Sequence, residues 1–331
     1  MKAKRKLTGV IGVSAAVALS LAACSSSGGK AAEQSAQSQD AAAGGQADTA
    51  RIKIAMVTHA VPGDTFWDQI RTGAMAAAKK DNVKLIYSAD PDGGKQATLV
   101  QNAIDQHVDG IAVTLAHADA MSGAVKDAVD AGIPVVAFNS GLEDWQDMGI
   151  MSYFGQDEFI AGQAFGKKLN ELGAKHVVCV NQEQGHVGLE ARCGGLKKEF
   201  KGKSEVLYVK SADMPSVRQN ITAKLQSESD IDYVATLGAP FAMTALQSVK
   251  DADSNAKVAT FDLNDEVIKS IKDGDITFAV DQQPYLQGYE AVDSLWLYKY
   301  NGAIIGGGQA VLTGPTFVTN DNIGDLARFN K

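Results

Sequence analysis

Short apolar runs alternate with amphipathic stretches along the chain from Arg51 onward. The runs are rich in β-branched residues and short enough for buried strands, while the stretches between them repeat apolar residues at helical spacing. The predicted strands are Ile52–Val57, Lys84–Ser88, Gly110–Thr114, Pro134–Phe138, Ile150–Phe154, Val177–Val180, Glu205–Val209, Tyr233–Thr236, Lys257–Phe261 and Thr277–Val280. Such alternation predicts an α/β protein with parallel sheets covered by helices. The series restarts after residue 154, which predicts two similar lobes.

The first strand and the helix after it place two aromatic residues side by side. Pro62 and Gly63 break the chain after the strand, and Asp64 is a suitable cap for a helix that begins with Phe66 and Trp67. In open parallel sheets, ligands bind where loops leave the carboxyl ends of strands. Neighbouring residues cannot both face inward on one helix. At least one of the two aromatics is therefore expected to be free for a role other than core packing.

The amino terminus has the pattern of an export signal. Four basic residues precede the apolar stretch Leu7–Leu21, and small residues follow it. We predict a signal peptide over residues 1–23. The sequence Leu-Ala-Ala-Cys at 21–24 resembles the lipobox of bacterial lipoproteins, which implies lipidation of Cys24 and an extracytoplasmic protein anchored to the cell membrane. The alternative is a plain secretory signal with an incidental cysteine. Residues 24–50, rich in Ser, Gly, Ala and Gln, are predicted to form a flexible tether.

Charge argues against nucleic-acid binding. The full chain carries a net charge of −8, and removal of residues 1–23 leaves 39 acidic against 27 basic residues, a net −12. An acidic exported protein has no electrostatic attraction for phosphate backbones. The composition, 45% hydrophobic and 21% charged, is that of a soluble globular protein.

Two cysteines remain after Cys24. Outside the cytoplasm, an even pair such as Cys179 and Cys193 favours a disulfide, with two buried free thiols as the alternative.

Motifs for common catalytic and metal chemistry are missing. The sequence has no Walker loop, no H-E-x-x-H, no clustered Cys/His pattern and no G-x-S-x-G. The five histidines, at 59, 107, 117, 176 and 186, lack ligand spacing and are predicted to be surface residues. We therefore expect neither a metal nor a cofactor.

Polar residues follow several predicted strands. These are Thr114, Asn139 and Ser140, Gly238, Asp262 and Gln282, with Arg192 near a helix start. Each alone is typical of a turn or cap. Together, hydrogen-bonding groups at strand ends beside aromatics indicate a cleft for a neutral, hydroxyl-rich ligand.

Motifs spread over the chain from Ile52 to Phe317 resemble one family. They are FWDQIRTGAMAAAKK, AGIPVVAFNSG, GQDEFIAGQAFGKKL, ARCGGL, VATFDLND and DGDITFAVDQQPYLQGYEAV. In this order they resemble the periplasmic sugar-binding proteins of ABC transporters, the ribose-binding-like group. The resemblance implies a type 1 periplasmic binding fold, with two Rossmann-like lobes joined by three crossings. The expected N-terminal lobe is 51–154 plus 284–308, and the C-terminal lobe is 155–283 plus 309–331.

The resemblance also implies roles for individual residues. Phe66 and Trp67 would stack on a sugar ring, and Arg192, Asp262 and Gln282 would bind its hydroxyls. The remaining implied positions are Asn139, Ser140, Met214, Thr114 and Gly238.

One pair departs from the family pattern. Asn139 and Ser140 stand where ribose binders carry Asp and Arg, so neutral groups replace a charged clamp. This departure argues against ribose itself, and Gln156 or His117 are expected to compensate.

The expected function is capture of a monosaccharide or polyol and its delivery to an ABC permease with its ATPase. We expect a monomer without enzymatic activity. One alternative is a receptor for a nucleoside or a furanosyl signalling molecule, for which Trp145 would supply a second aromatic wall. The other is an exported carbohydrate-active enzyme, which would need two carboxylates across the cleft.

Overall fold

Two six-stranded sheets form the frame of the computed structural model, which describes residues 45–326. The strands of the first sheet are β1 Ile52–Thr58, β2 Val83–Ala89, β3 Gly110–Val113, β4 Val135–Asn139, β5 Ser152–Gly155 and β11 Val311–Leu312. Those of the second are β6 His176–Asn181, β7 Lys203–Tyr208, β8 Tyr233–Thr236, β9 Lys257–Phe261, β10 Ile276–Asp281 and β12 Thr316–Val318. The described helices are α1 Thr65–Lys80, α2 Gly93–Asp105, α3 Ala118–Asp130, α4 Glu158–Glu171, α5 Val187–Glu199, α6 Met214–Ser227, α7 Ala239–Asp251, α8 Asp265–Asp273, α9 Pro284–Asn301 and α10 Ile323–Leu326.

The first sheet is parallel throughout, in the order β11-β5-β4-β3-β1-β2. Successive strand side chains point to opposite faces, so Ile54 and Met56 pack with α1 and α9 while Ala55 and Val57 pack with α2 and α3. Both faces are buried, which explains why the strands are apolar runs without alternation.

The second sheet repeats this plan in the order β12-β10-β9-β8-β6-β7, with only β12 antiparallel. Helices α4 and α5 cover one face, and α6, α7 and α8 cover the other. The predicted α/β fold of two Rossmann-like lobes is confirmed.

Within residues 45–326 the chain crosses between the sheets three times, and one crossing differs from the prediction. The first two lie after Gly155 and between β10 and α9, near the predicted boundaries. The predicted boundary at 308/309 is wrong for β11, because Val311 pairs with Phe154 of the first sheet. The third crossing therefore lies between Leu312 and Thr316. One apolar segment supplies edge strands to both sheets, and its pattern does not reveal which edge each half joins.

The predicted tether, residues 24–50, extends too far. The Ala47 N–H donates to the Lys80 carbonyl at 2.7 Å, and Trp296 Nε1 donates to Thr49 Oγ1 at 3.2 Å. Asn82 Nδ2 also donates to the Thr49 carbonyl, at 2.7 Å. These hydrogen bonds hold residues 47–50 against the end of α1, against Asn82 just after it, and against Trp296 of α9. The predicted signal peptide and the lipidation site Cys24 lie outside the described residues.

No helix within residues 45–326 combines the length and apolarity needed to cross a bilayer.

Cys179 on β6 and Cys193 on α5 form a disulfide, with their Cα atoms 5.9 Å apart. The bond fixes α5 to β6 of the second sheet, close to the site described next.

Candidate functional site

A cavity of about 160 Å³ lies between the two lobes, at the carboxyl ends of both sheets. One water needs roughly 10–15 Å³ by this measure, so the cavity has room for about 11 to 16 water-sized groups, the size of a monosaccharide or cyclic polyol. Its first-lobe wall includes His59, Asp64, Phe66, Trp67, Asn139 and Ser140. Its second-lobe wall includes Glu158, Gln182, Glu183, His186, Arg192, Ser211, Met214, Gly238, Phe241, Asp262 and Gln282.

Phe66 and Trp67 both line the cavity and are both buried, at 8% and 7% exposure. Asp64 caps α1 by accepting from the Phe66 N–H at 3.0 Å, which places both rings in the first turn. The rings meet edge to face at 5.3 Å. The expectation that these two neighbours cannot both face inward is wrong, because both belong to the buried cluster of the first lobe, where Trp67 packs against Phe66 and His59.

Arg192 lines the cavity but is already engaged by the protein. Its Nε and NH2 donate to the two Glu158 oxygens at 2.6 and 2.9 Å, and NH1 donates to the Leu237 carbonyl at 3.0 Å. The guanidinium stacks 4.6 Å above the Phe261 ring. A guanidinium has five N–H donors, so two remain for a ligand.

Asp262 lies directly after β9 and accepts from Gln282 Nε2 at 2.7 Å. Burial raises its pKa to about 7, against the opposing effects of Arg192 and of the Gln282 hydrogen bond. Arg192 NH1 is 3.8 Å from the carboxylate and is largely neutralised by Glu158, so we attribute the raised pKa to burial that this ion pair does not offset.

Asn139 and Ser140 lie at the end of β4, where Asn139 adopts φ +67°. Asn139 Nδ2 donates to Gln282 Oε1 at 3.3 Å and to Gln287 Oε1 at 3.4 Å. Ser140 Oγ donates to Asn139 Oδ1 at 2.9 Å. Gln282 therefore connects Asp262 of the second lobe to Asn139 of the first through buried amides.

Of the three remaining positions predicted from the sequence, two line the cavity and one does not. Met214, at the start of α6, and Gly238, which caps α7, both line the cavity. Thr114 does not; it is buried behind His59, and its Oγ1 lies 2.7 Å from His59 Nδ1. Thr114 therefore positions His59, which lines the cavity.

The prediction that the histidines are surface residues is wrong for most of them. His59, His176 and His186 are buried, at 5%, 2% and 6% exposure, and His117 is half-buried. His59 and His186 line the cavity. His59 follows β1 directly, so the strand-end rule applied to the other residues would have found it.

Gln182 and Ser211 are further cavity residues that sequence reasoning missed. Gln182 follows β6, and its Oε1 is buried without a partner among the described residues. Buried polar atoms are normally satisfied, which makes this oxygen an acceptor for a ligand hydroxyl.

Three residues expected to assist binding lie outside the cavity lining. Trp145 is in the apolar core between the first sheet and α3. Gln156 Nε2 is bonded to Glu158 at 2.7 Å, and His117 contacts Glu183 at 2.9 Å.

A histidine and two carboxylates meet at the far end of the second lobe. His176, Glu228 and Asp230 have the geometry to surround a cation. The ammonium groups of Lys203 and Lys224 already contact Glu228, so these charges are balanced by the protein itself.

Comparison with known proteins agrees with this architecture. Residues 54–302 match the periplasmic binding protein domain family. A carbohydrate transporter from Acidothermus cellulolyticus 11B, solved in complex with myo-inositol, is 57% identical, with a TM-score of 0.84 over 85% of this chain and 98% of that one.

Curated relatives are more distant. The chain is 29% identical over 241 residues to the ribose import binding protein RbsB of Bacillus subtilis, covering 69% of this chain and 76% of that protein. It is 27% identical to the xylose/arabinose-binding protein XylF of Sulfolobus acidocaldarius, covering 68% of this chain but only 60% of that protein's length. The chain belongs to the periplasmic binding protein family, within which it is similar to the sugar-binding proteins of ABC transporters.

Proposed function

We propose that the protein captures a neutral cyclic polyol or monosaccharide between its lobes and delivers it to an ABC importer, with myo-inositol the first ligand to test. The observation that carries the proposal is the cavity itself, which is sugar-sized and lined by polar groups from both lobes beside two aromatic rings.

The electrostatics of the cavity favour an uncharged ligand. The basic group Arg192 is paired with Glu158, and Glu183 is paired with His117. Asp64 and Asp262 are the remaining cavity carboxyls, and burial raises the pKa of each. An anion would meet these carboxyls without an uncompensated cation, whereas hydroxyl groups donate to them favourably.

A polyol also suits the distribution of acceptors. Asp64, Asp262 and the free Gln182 oxygen surround the space from both lobes. A cyclitol presents a hydroxyl donor at every ring carbon, while a pyranose has one ring oxygen that only accepts. The relative that is 57% identical was crystallised with myo-inositol, which supports the same class here.

The alternatives are less well supported. A nucleoside would need a longer aromatic slot, and Trp145 is committed to the core. An enzyme would need two carboxylates free to act on one bond of the substrate. Glu158 is tied to Arg192. The other two carboxyls already have structural partners, since Asp64 caps α1 and Asp262 accepts from Gln282. We therefore propose that the ligand is released unchanged.

The cellular setting follows from the expected export signal. We propose a monomer anchored outside the cytoplasm by lipid on Cys24, which presents its cargo to a membrane permease driven by an ATPase. Closure of the lobes is favoured because only the closed arrangement offers both walls to the ligand.

Thermal unfolding of the purified protein against inositol stereoisomers, pentoses, hexoses and nucleosides tests the proposal. A compound at about 100 times its dissociation constant stabilises the fold by roughly 2.7 kcal/mol. We expect a raised midpoint with myo-inositol and a smaller shift with its stereoisomers, with chemically unchanged ligand recovered afterwards. The cavity variant Asp262→Ala should lose the shift, and the exposed helix variant Asp127→Ala should keep it. A shift with a nucleoside and none with any polyol or sugar would overturn the proposed ligand class.

A further inference from the structure

Two histidines of the first lobe contact the second lobe on one side of the cavity. His59 Nε2 lies 3.1 Å from His186 Nε2, and His117 Nε2 lies 2.9 Å from Glu183 Oε1. The Val187 N–H also donates across to the Ala116 carbonyl at 3.1 Å. We propose that these two histidine contacts position the lobes for ligand capture and confine closure to a window of pH. The inference rests on the proposed function only for the identity of the captured ligand.

The His59–His186 contact has room for one proton between its nitrogens. His186 caps α5, and its Nδ1 accepts from the Gly188 and Leu189 N–H groups at 3.1 and 3.4 Å. The proton of neutral His186 is therefore on Nε2, which donates to His59 Nε2. The proton of His59 is then on Nδ1 and is donated to Thr114 Oγ1 at 2.7 Å, which also accepts from the His59 backbone N–H at 3.1 Å. The nearby Gln96 Nε2 donates to the Thr114 and Val57 carbonyls, at 2.9 and 3.4 Å.

A further proton cannot be added without breaking a contact. On His186 it would occupy Nδ1 and point at two backbone N–H groups of the positive helix end. On His59 it would occupy Nε2 and oppose the His186 N–H. Burial accordingly lowers the pKa of both rings, that of His59 to about 3.

The surrounding charges act in the same direction. The charged or titratable groups that face the pair are His117 at the start of α3, Glu183 in the loop before α5, Arg192 on α5 with its partner Glu158 on α4, and the cavity carboxyls Asp64 and Asp262. Glu183 attracts a proton to His186, but it is already paired with His117. Protonated His117 and Arg192 repel a further positive charge.

The His117–Glu183 contact has the opposite requirement. His117 must be charged to form an ion pair, and the Glu183 hydrogen bond raises its pKa. The nearby Asp92 and the Pro91 carbonyl favour the charged form as well. The ion pair is therefore formed at acidic pH and is lost as pH rises through the pKa of His117, which leaves a weaker hydrogen bond from the neutral ring.

The two contacts together predict a bell-shaped closure profile. In the open state, we expect both rings of the first pair to titrate near the ordinary pKa of about 6.5, so closure must expel their protons below that pH. The equilibrium constant for closure then falls about tenfold per pH unit for each ring. On the alkaline side, closure weakens as His117 loses its charge.

Interlobe distances measured by pulsed electron spin resonance test the inference without any ligand. Spin labels at Gln101→Cys on α2 and Gln219→Cys on α6 report the two lobes from exposed positions, in the full chain carrying Cys24→Ser. We expect the closed fraction to be highest at intermediate pH and to decrease toward about pH 5 and about pH 9, on either side of the ordinary histidine pKa. A fraction that does not change with pH would overturn the proposal.

Three variants test which histidine contact causes the loss of closure at acidic pH and which causes it at alkaline pH. His186→Asn keeps the helix cap, since Asn is a favoured cap residue, but removes the partner of His59; the acid side should disappear. His117→Gln should remove the alkaline side. His107→Asn alters an exposed histidine and should leave both sides intact. If His186→Asn and His117→Gln keep the wild-type profile, the inference is wrong.

A parallel titration with myo-inositol separates this inference from the proposed function. A bell-shaped distance profile without myo-inositol binding at any pH would retain the pH window and refute the proposed ligand. Binding with the same affinity across the pH range, together with constant distances, would retain the ligand and refute the window.

Discussion

Arg192 and Glu158 form a two-point ion pair inside the second lobe, with side chains only 5% and 7% exposed. Arg192, which we expect to bind a ligand, therefore has one edge of its guanidinium paired with the carboxylate of Glu158 on the neighbouring helix α4. A buried charge is tolerated because its partner and the Leu237 carbonyl replace the lost water. The pair fixes the orientation of the guanidinium in the cavity wall.

Removing Arg192 should therefore affect folding as well as binding. Arg192→Ala leaves the Glu158 carboxylate buried without its partner, and we expect the free energy of unfolding to fall by about 3–5 kcal/mol. Urea unfolding measures this change. The double variant Arg192→Met with Glu158→Leu should recover most of the loss, because neither charge is then buried. Arg218→Ala, which breaks the exposed pair with Asp251, should change stability little.

Asp262 should make the protein less stable as pH rises from about 4 to 7. Its pKa is about 7 in the folded protein, against about 3.9 when unfolded, so the folded state holds a proton in this range that the unfolded state has released. The stabilisation is fully present below the unfolded pKa and is lost by pH 7, at a rate of about 1 kcal/mol per unit or less.

The buried pair His59 and His186 acts with the opposite sign, because the pKa of each is lowered. His59, with its pKa lowered to about 3, favours folding as pH rises toward 6.5. The contribution of Asp262 is isolated as the difference between wild type and Asp262→Asn, measured by urea unfolding at a series of pH values. A difference that is independent of pH would show that Asp262 has an ordinary pKa.

Strand ends were the most predictable part of the site. Asn139, Asp262 and Gln282 were located because parallel strands bring their carboxyl ends to one edge, and the structure gathers all three around the cavity. Repeated apolar runs are sufficient for this inference, since each run fixes where its strand ends.

Partners across the fold were not predictable in the same way. The bond between His59 and His186 joins residues 127 positions apart, and no local pattern encodes it. The burial of both Phe66 and Trp67 likewise depends on residues outside the helix, such as His59, which helical periodicity does not describe. Similarly, the Arg192–Glu158 pair depends on the close packing of α4 against α5.

Asn139→Asp should destabilise the connection between the lobes at neutral pH. Asn139 Nδ2 is the donor to Gln282 Oε1 and Gln287 Oε1, so a carboxylate would face two acceptors. We expect a loss of about 1–3 kcal/mol in unfolding free energy, decreasing at low pH where the new carboxyl is protonated. Asp tolerates positive φ as Asn does, so the backbone at φ +67° is not the cause. An unchanged unfolding free energy at pH 7 would show that these two long hydrogen bonds contribute nothing.

Each lobe also contains a pair of helices that approach through glycine. A Cβ on Gly288 of α9 would overlap the Ile70 carbonyl of α1, and a Cβ on Gly162 of α4 would overlap the Arg192 carbonyl of α5. Gly123 of α3 has open space around its Cβ position.

Alanine at these three positions should therefore give different results. Gly288→Ala and Gly162→Ala should each lower the unfolding free energy by about 1–3 kcal/mol or more, because the helices must separate. Gly123→Ala should raise it by up to about 1 kcal/mol through helix propensity alone. Only Gly162→Ala shifts the helix that carries Arg192, so it should also weaken myo-inositol binding, measured by calorimetry under conditions where the variant remains folded. Equal affinity in Gly162→Ala and Gly288→Ala would mean that the position of α5 does not control the ligand contacts of Arg192.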